Sequence, residues 1–130
     1  MEYGMKKIIL IVDDEPRIVK LLSMRLKAIN YEVFVAHNGV DCMQIAKREV
    51  PDLILMDMKM PYKDGIGTFE QLIQLDITRS IPIIFMTAFP TIELKKQVLK
   101  MGANGFISKP FTSKEIEQTI AMTLDNYDRF

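Results

Sequence analysis

The stretch Leu53-Ile54-Leu55-Met56-Asp57-Met58-Lys59-Met60-Pro61 decides the fold. Four consecutive apolar residues run into an aspartate without polar alternation, the pattern of a strand buried on both faces of a parallel sheet. Pro61 has no amide hydrogen to give a central strand, so the strand finishes near Asp57 and its carboxylate stands at the carboxyl edge of the sheet. In open α/β sheets that edge is where binding and chemistry sit. Upstream, Ile8–Val12 is a second solid apolar run, and it too ends in acids, Asp13, Asp14 and Glu15, with Pro16 directly behind. If the two strands are neighbours, Asp13, Asp14 and Asp57 meet. Like charges that close oppose one another's ionisation. An all-oxygen cluster of this kind suits a hard divalent cation, Mg²⁺ above all, with Mn²⁺ as the alternative ion. The simpler reading is that Asp13 and Asp14 only cap the helix that follows.

The chain of 130 residues is long enough for one domain with a real core and too short for two ordinary ones, so 1–130 reads as a single domain with its core over about 6–125. Lys plus Arg equals Asp plus Glu at 17 each, which gives no argument for nucleic acid, membrane or a strongly acidic partner. The single cysteine, Cys42, excludes an internal disulfide, and without a Cys/His cluster it argues against zinc. Lys6 and Lys7 before an apolar run look superficially like a signal peptide. The run meets acids after Val12, too soon for export or a membrane span. A cytoplasmic location is the expectation.

Along the chain, strands and helices alternate. After Ile8–Val12, the residues Ile18, Leu21, Leu22, Met24, Leu26 and Ile29 recur at helical spacing, with Pro16 tolerated in the first turn and Val19 beside the stripe. Tyr31–Ala36 reads as a second strand. Asn38-Gly39 is a turn, and a helix over Val40–Arg48 offers Val40, Met43, Ile45 and Ala46 for packing. The third strand is followed by a polar loop and a helix from about Ile66 to Leu75. Ile81–Thr87 is a fourth strand, a fourth helix ends near Met101-Gly102, Gly105–Ser108 is a fifth strand, and a last helix runs from about Thr112 to Leu124. The order predicts an α/β fold, a doubly wound parallel sheet of five strands flanked by five helices and built from right-handed βαβ units. No Gly-x-Gly-x-x-Gly or Gly-x-x-x-x-Gly-Lys-Ser/Thr is present, so carboxylates occupy the edge where a nucleotide-binding chain would carry glycines.

Thr87 and Lys109 also fall at or just beyond strand ends. Four strand ends then deliver three carboxylates, a hydroxyl and an ammonium to one edge. An aspartate can accept a phosphoryl group as an acyl phosphate while metal and cation neutralise the transferred oxygens. Singly, each residue is weak: a threonine at a strand end is usually structural, and a lysine before proline is usually solvated. The coincidence of five is strong.

With Ile11-Val12-Asp13-Asp14-Glu15, Asp57-x-x-Met60-Pro61-x-x-Asp64-Gly65, Thr87-Ala88 and Lys109-Pro110-Phe111 all in order and spacing, the chain resembles the receiver domains of two-component signalling over essentially its whole length. The resemblance is to stand-alone chemotaxis or phosphorelay receivers. It implies a flavodoxin-like sheet in the order 2-1-3-4-5, with Asp57 as phosphoacceptor. It further implies Mg²⁺ held by Asp14, Asp57 and the Lys59 backbone carbonyl, with Asp13 acting largely through a metal-bound water. Thr87 then bonds a phosphoryl oxygen, Lys109 pairs with the phosphoryl group, the Lys109-Pro110 bond is cis, and Phe106 is a switch aromatic that turns inward. The implied donor is a histidine kinase or a histidine phosphotransfer protein. Its approach to Asp57 brings it over the first helix, where Pro16, Ile18 and Val19 form the expected partner surface. A downstream protein target or a second copy is expected on the face of the fourth helix, fifth strand and fifth helix.

Some residues depart from the family pattern or invite other readings. Lys63 makes the loop after Pro61 more polar than usual; Lys59 and Phe89, two beyond Asp57 and Thr87, flank the access of water to an acyl phosphate; Pro90 stiffens the entry to the fourth helix. His37 precedes a turn away from the acids, Cys42 reads as packing, and the 10 methionines read as core filling. Lys95, Lys96 and Lys100 spread around their helix and make no nucleic-acid surface. An aspartyl-phosphate hydrolase would show an acid two residues beyond its nucleophile and Asp-x-Asp at the first strand. Here Lys59 and the adjacent Asp13-Asp14 stand instead. The expected function is therefore that of a signalling phosphoacceptor and not an enzyme, acting alone. The alternative is a receiver within a larger response regulator whose DNA-binding or enzymatic output domain lies elsewhere.

Overall fold

The computed structural model describes residues 5–59 and 64–128. Strands β1 (Ile8–Val12), β2 (Glu32–Ala36), β3 (Leu53–Asp57), β4 (Ile83–Thr87) and β5 (Gly105–Ser108) alternate with helices α1 (Pro16–Ala28), α2 (Gly39–Glu49), α3 (Gly65–Leu72), α4 (Ile92–Met101) and α5 (Ser113–Asp128). All pairings are parallel and the sheet order is β2-β1-β3-β4-β5, as the resemblance implies. β1 and β3 lie side by side with Val12 opposite Met56, which carries Asp13 and Asp57 to the same edge. Every residue of β3 and β4 is buried, the burial that an unbroken apolar run demands. Met60, Pro61, Tyr62 and Lys63, on which the strand-ending role of Pro61 and the polarity of the loop were read, lie outside the described residues.

The two faces of the sheet build two clusters. One joins Leu10, Val12, Ile54, Met56, Ile83 and Phe85 to α2, α3 and α4, with Phe69 meeting Phe85 edge-to-face at a centroid distance of 5.6 Å. The other joins Ile9, Ile11, Leu53, Leu55, Ile84 and Met86 to α1 and α5.

The helices differ from the sequence reading in four places. On α1 the buried residues are Val19, Leu22 and Leu26, while Leu21 (54% exposed) and Met24 (63%) face outward and Ile29, past the helix end, is exposed. Two overlapping stripes share helical spacing in this apolar-rich helix, and the sheet takes the one centred on Leu22. On α2, Cys42 and Ala46 are buried and Val40 is exposed; on α5, Met122 is exposed, so the methionines are not all core filling. Finally, α3 stops at Leu72, short of Leu75, where the buried Thr78 hydroxyl donates to the Leu72 carbonyl at 2.7 Å and satisfies an orphan acceptor at the helix end. β4 likewise begins at Ile83, directly after Pro82, which cannot donate to the ladder. Among the described residues no helix is long and apolar enough to cross a membrane.

Candidate functional site

The site sits at the carboxyl ends of β1, β3, β4 and β5. Asp13 is completely buried: its amide donates to the Ala36 carbonyl at 3.1 Å, and its Oδ1 accepts from the Glu15 amide at 3.0 Å. That second bond lies ahead of α1. The helix takes Glu15 as its N-cap without any side-chain capping bond, so the capping reading of the acids does not hold. Asp14 is exposed, Asp57 is almost fully buried, and carboxylate oxygens of Asp13, Asp14 and Asp57 lie within 4.8 Å of one another. An all-oxygen set of that span fits a hard divalent cation such as Mg²⁺.

Lys109, the residue after β5, closes the cluster. Its Nζ donates to Asp13 Oδ2 at 2.8 Å and to Asp57 Oδ1 at 3.1 Å, while its amide donates to the Thr87 carbonyl at 2.7 Å. The Lys109-Pro110 bond is cis. Burial pushes the Asp57 carboxyl up, the charge of Asp13 pushes the same way, and the Lys109 hydrogen bond only partly restrains it, so it stands at about 6. For the Lys109 ammonium, burial works downward, but the hydrogen bonds to Asp13 and Asp57 together outweigh it and the net direction is up. The lysine is held charged between two acids that need it.

Thr87 ends β4, buried, and its Oγ1 accepts from the Phe89 amide at 3.1 Å. Phe106, opposite Phe85 in the β4–β5 register, is half-buried against the core cluster. Lys59 lies beyond β3, and its Nζ stands 4.9 Å from the centroid of the exposed Phe89 ring, a cation–π contact. It therefore rests against the ring of the other residue that sequence places beside the water access to an acyl phosphate. Of the expected partner surface, Pro16 is exposed at the start of α1 and Ile18 is half-buried. Val19 is corrected: at 8% exposure it packs with Leu22 and Leu26 against the sheet, and Leu21 is the apolar residue that faces solvent instead.

Sequence reasoning also passed over the work of Asp64 and Gly65. Asp64 caps α3, accepting from the Gly67 amide at 2.7 Å. The Gly65 amide donates to the Met58 carbonyl at 3.0 Å, so the first turn of α3 is pinned to the end of β3. The Asp-Gly pair was the available signal, but the close approach it serves is tertiary. His37 lies outside the cluster of acids, and Cys42 is fully buried with its thiol pushed up to about 12 by burial, which leaves it unreactive.

Compared with known proteins, residues 9–121 match the family model described as the response regulator receiver domain. A probable transcriptional regulator, ycf27, of Porphyridium aerugineum is 37% identical over 124 residues, covering 95% of this chain and 50% of the relative. The chain spans about half the length of such curated relatives. Among solved structures, a CheY-like receiver domain protein from Methanospirillum hungatei superposes with a TM-score of 0.89 at 27% identity, covering 96% of this chain and 98% of the other. The receiver domain of the sensor histidine kinase PA1611 from Pseudomonas aeruginosa, whose structure has a magnesium ion coordinated in the active-site cleft, gives 0.85 at 26%, covering 93% and 99%.

Proposed function

The chain belongs to the response regulator receiver domain family, and from that premise we propose that it takes a phosphoryl group from a phosphohistidine donor onto Asp57 and thereby switches its binding of a partner or relays the group onward. One observation carries this reading: Lys109 bridges Asp13 and Asp57 at 2.8 and 3.1 Å inside a three-carboxylate cluster at the end of β3. An Asp57 oxygen attacks phosphorus, the phosphorus–nitrogen bond breaks, and imidazole leaves with the bonding pair, neutral because the donor ring was protonated. The product is an acyl phosphate.

In this reading Asp14, Asp57 and the Lys59 carbonyl would hold Mg²⁺ with Asp13 supporting the site, and the ion would neutralise charge on the transferred oxygens. Lys109 keeps Asp57 ionised before transfer and turns to the phosphoryl oxygens after it. The Thr87 hydroxyl donates to the same group, and Phe106 packs inward behind it. Beside the acids, Pro16, Ile18 and Leu21 form the docking surface for the donor, a histidine kinase or histidine phosphotransfer protein. The α4–β5–α5 face meets a downstream protein or a second copy. The chain is a phosphoacceptor of the cytoplasm, not a turnover enzyme.

A second reading rests on the relatives' greater length: the same receiver serves as the input half of a longer regulator with a DNA-binding or enzymatic output. Both readings share one test. A small acyl phosphate with Mg²⁺ adds one phosphoryl mass to the protein, labile in base, and Asp57→Asn abolishes the gain. A mutant that gains the same mass moves the acceptor elsewhere.

A further inference from the structure

Thr87 and Asp57 share an edge, yet the Thr87 hydroxyl is not left free to move along it. Its Oγ1 is the acceptor for the Phe89 amide at 3.1 Å, a short turn that ties the hydroxyl to the loop after β4. The ring of that same Phe89 lies under the Lys59 ammonium, 4.9 Å from Nζ, and Lys59 belongs to the loop after β3. Phe89 is 67% exposed, so no core packing fixes its ring. The contact therefore joins the two loops that flank Asp57 and Thr87, one through a side chain and the other through a hydrogen bond to the hydroxyl.

We propose that Lys59 and Phe89 form a latch that holds the Thr87 hydroxyl in its resting position, and that the latch opens when the hydroxyl is drawn toward a phosphoryl group on Asp57. The proposal rests on the reading of Asp57 as phosphoacceptor and Thr87 as its hydrogen-bonding partner. Moving Oγ1 toward Asp57 while it keeps its bond to the Phe89 amide drags the loop along and pulls the ring from under Lys59. The latch opposes activation by the strength of one exposed cation–π contact, equivalent to about two- to fivefold in an equilibrium constant. Its two members sit thirty positions apart in sequence, and neither is a phosphoryl ligand through its side chain. They are positioning residues.

Two measurements test it, the first without any phosphoryl chemistry. In the resting protein, solvent exchange of the Phe89 amide read by NMR rises about two- to fivefold in Lys59→Met and returns to the native rate in Lys59→Arg, which restores a cation over the ring. Removing a nearby positive charge by itself lowers the local hydroxide concentration and slows exchange, so a rise reports opening. In a Phe89→Leu background, Lys59→Met leaves exchange at residue 89 unacccelerated. An unaccelerated amide in Lys59→Met alone, or equal acceleration in both backgrounds, overturns the latch.

The second measurement uses beryllium trifluoride with Mg²⁺, a tetrahedral stand-in for the phosphoryl group. Phe89→Leu, which keeps the amide, the hydroxyl and the net charge, binds it about two- to fivefold more tightly than the native chain. Equal or weaker binding overturns the proposal. If the native chain binds no beryllium trifluoride at all, the phosphoacceptor reading fails, and amide exchange alone still decides whether Lys59 and Phe89 hold Thr87.

Discussion

A Cβ atom on Gly65 would lie 2.5 Å from the backbone carbonyl oxygen of Asp57. It would also meet Met58 Cα at 3.0 Å and the Phe85 ring at 3.1 Å, so its nearest obstacle is main chain that cannot rotate aside. Gly65→Ala is expected to lower stability by about 1–3 kcal/mol, the range for overfilling a closed space. Pushing α3 off the end of β3 also displaces Asp57, so phosphorylation by a small donor slows. Denaturant melts and intact-mass time courses check both; unchanged stability would show that the contact relaxes freely.

The raised Asp57 carboxyl gives a pH dependence of definite sign. It stands at about 6 against 3.8 ordinarily, so the fold holds that proton more tightly than the unfolded chain does. In the metal-free protein this group costs stability above pH 6, and the cost disappears as pH falls from about 6 to about 4. Asp57→Asn removes the ionised group and should stabilise the metal-free protein by about 1–2 kcal/mol at pH 7.5, less than the full shift because the site touches solvent. The gain should vanish below pH 4. Urea melts in EDTA across this range measure it; a mutant destabilised at every pH would mean that the lost Lys109 bond outweighs the relief.

Mg²⁺ should act in the same direction as that substitution. Binding the folded chain and not the unfolded one, it raises apparent stability by about 2.7 kcal/mol at a hundredfold excess over its dissociation constant. Asp14→Ala should erase most of the effect. Equal melting temperatures in Mg²⁺ and EDTA at matched ionic strength would refute a shared acidic site.

The docking surface is tested by contrast within one helix. Leu21→Lys, at an exposed position, should slow phosphoryl transfer from a protein donor at least severalfold while small-donor phosphorylation stays near native. Val19→Lys buries a charge in the core and should cost about 2–4 kcal/mol, slowing both donors alike. If Leu21→Lys slows both donors equally, the input face is not on α1.

The sheet and its acid edge were legible because a strand buried on both faces leaves an unbroken apolar run, and the runs of β1, β3 and β4 led directly into Asp13, Asp57 and Thr87 at that edge. β4 began two residues later than expected because Pro82 interrupts the ladder. The inward face of α1 was not legible. Ile18, Val19, Leu21, Leu22, Met24 and Leu26 leave no polar stripe wide enough to orient the helix, and only packing on β1 and β3 selects Val19. Gly65 stood in a quoted motif, yet its reason is a tertiary distance. Lys59 and Phe89 are loop residues whose contact depends on two strand ends being adjacent, which no local pattern encodes.

Cys42, sealed on the inner face of α2 with its thiol pushed up to about 12, has a consequence at the bench. The native chain is therefore expected to meet maleimides and other thiol reagents as though it had no cysteine. One thiol introduced at a solvent-facing position such as Val40 or Met122 can therefore be labelled alone, without first mutating the core. Fluorophores and spin labels can be placed on the outer helical faces against a silent background.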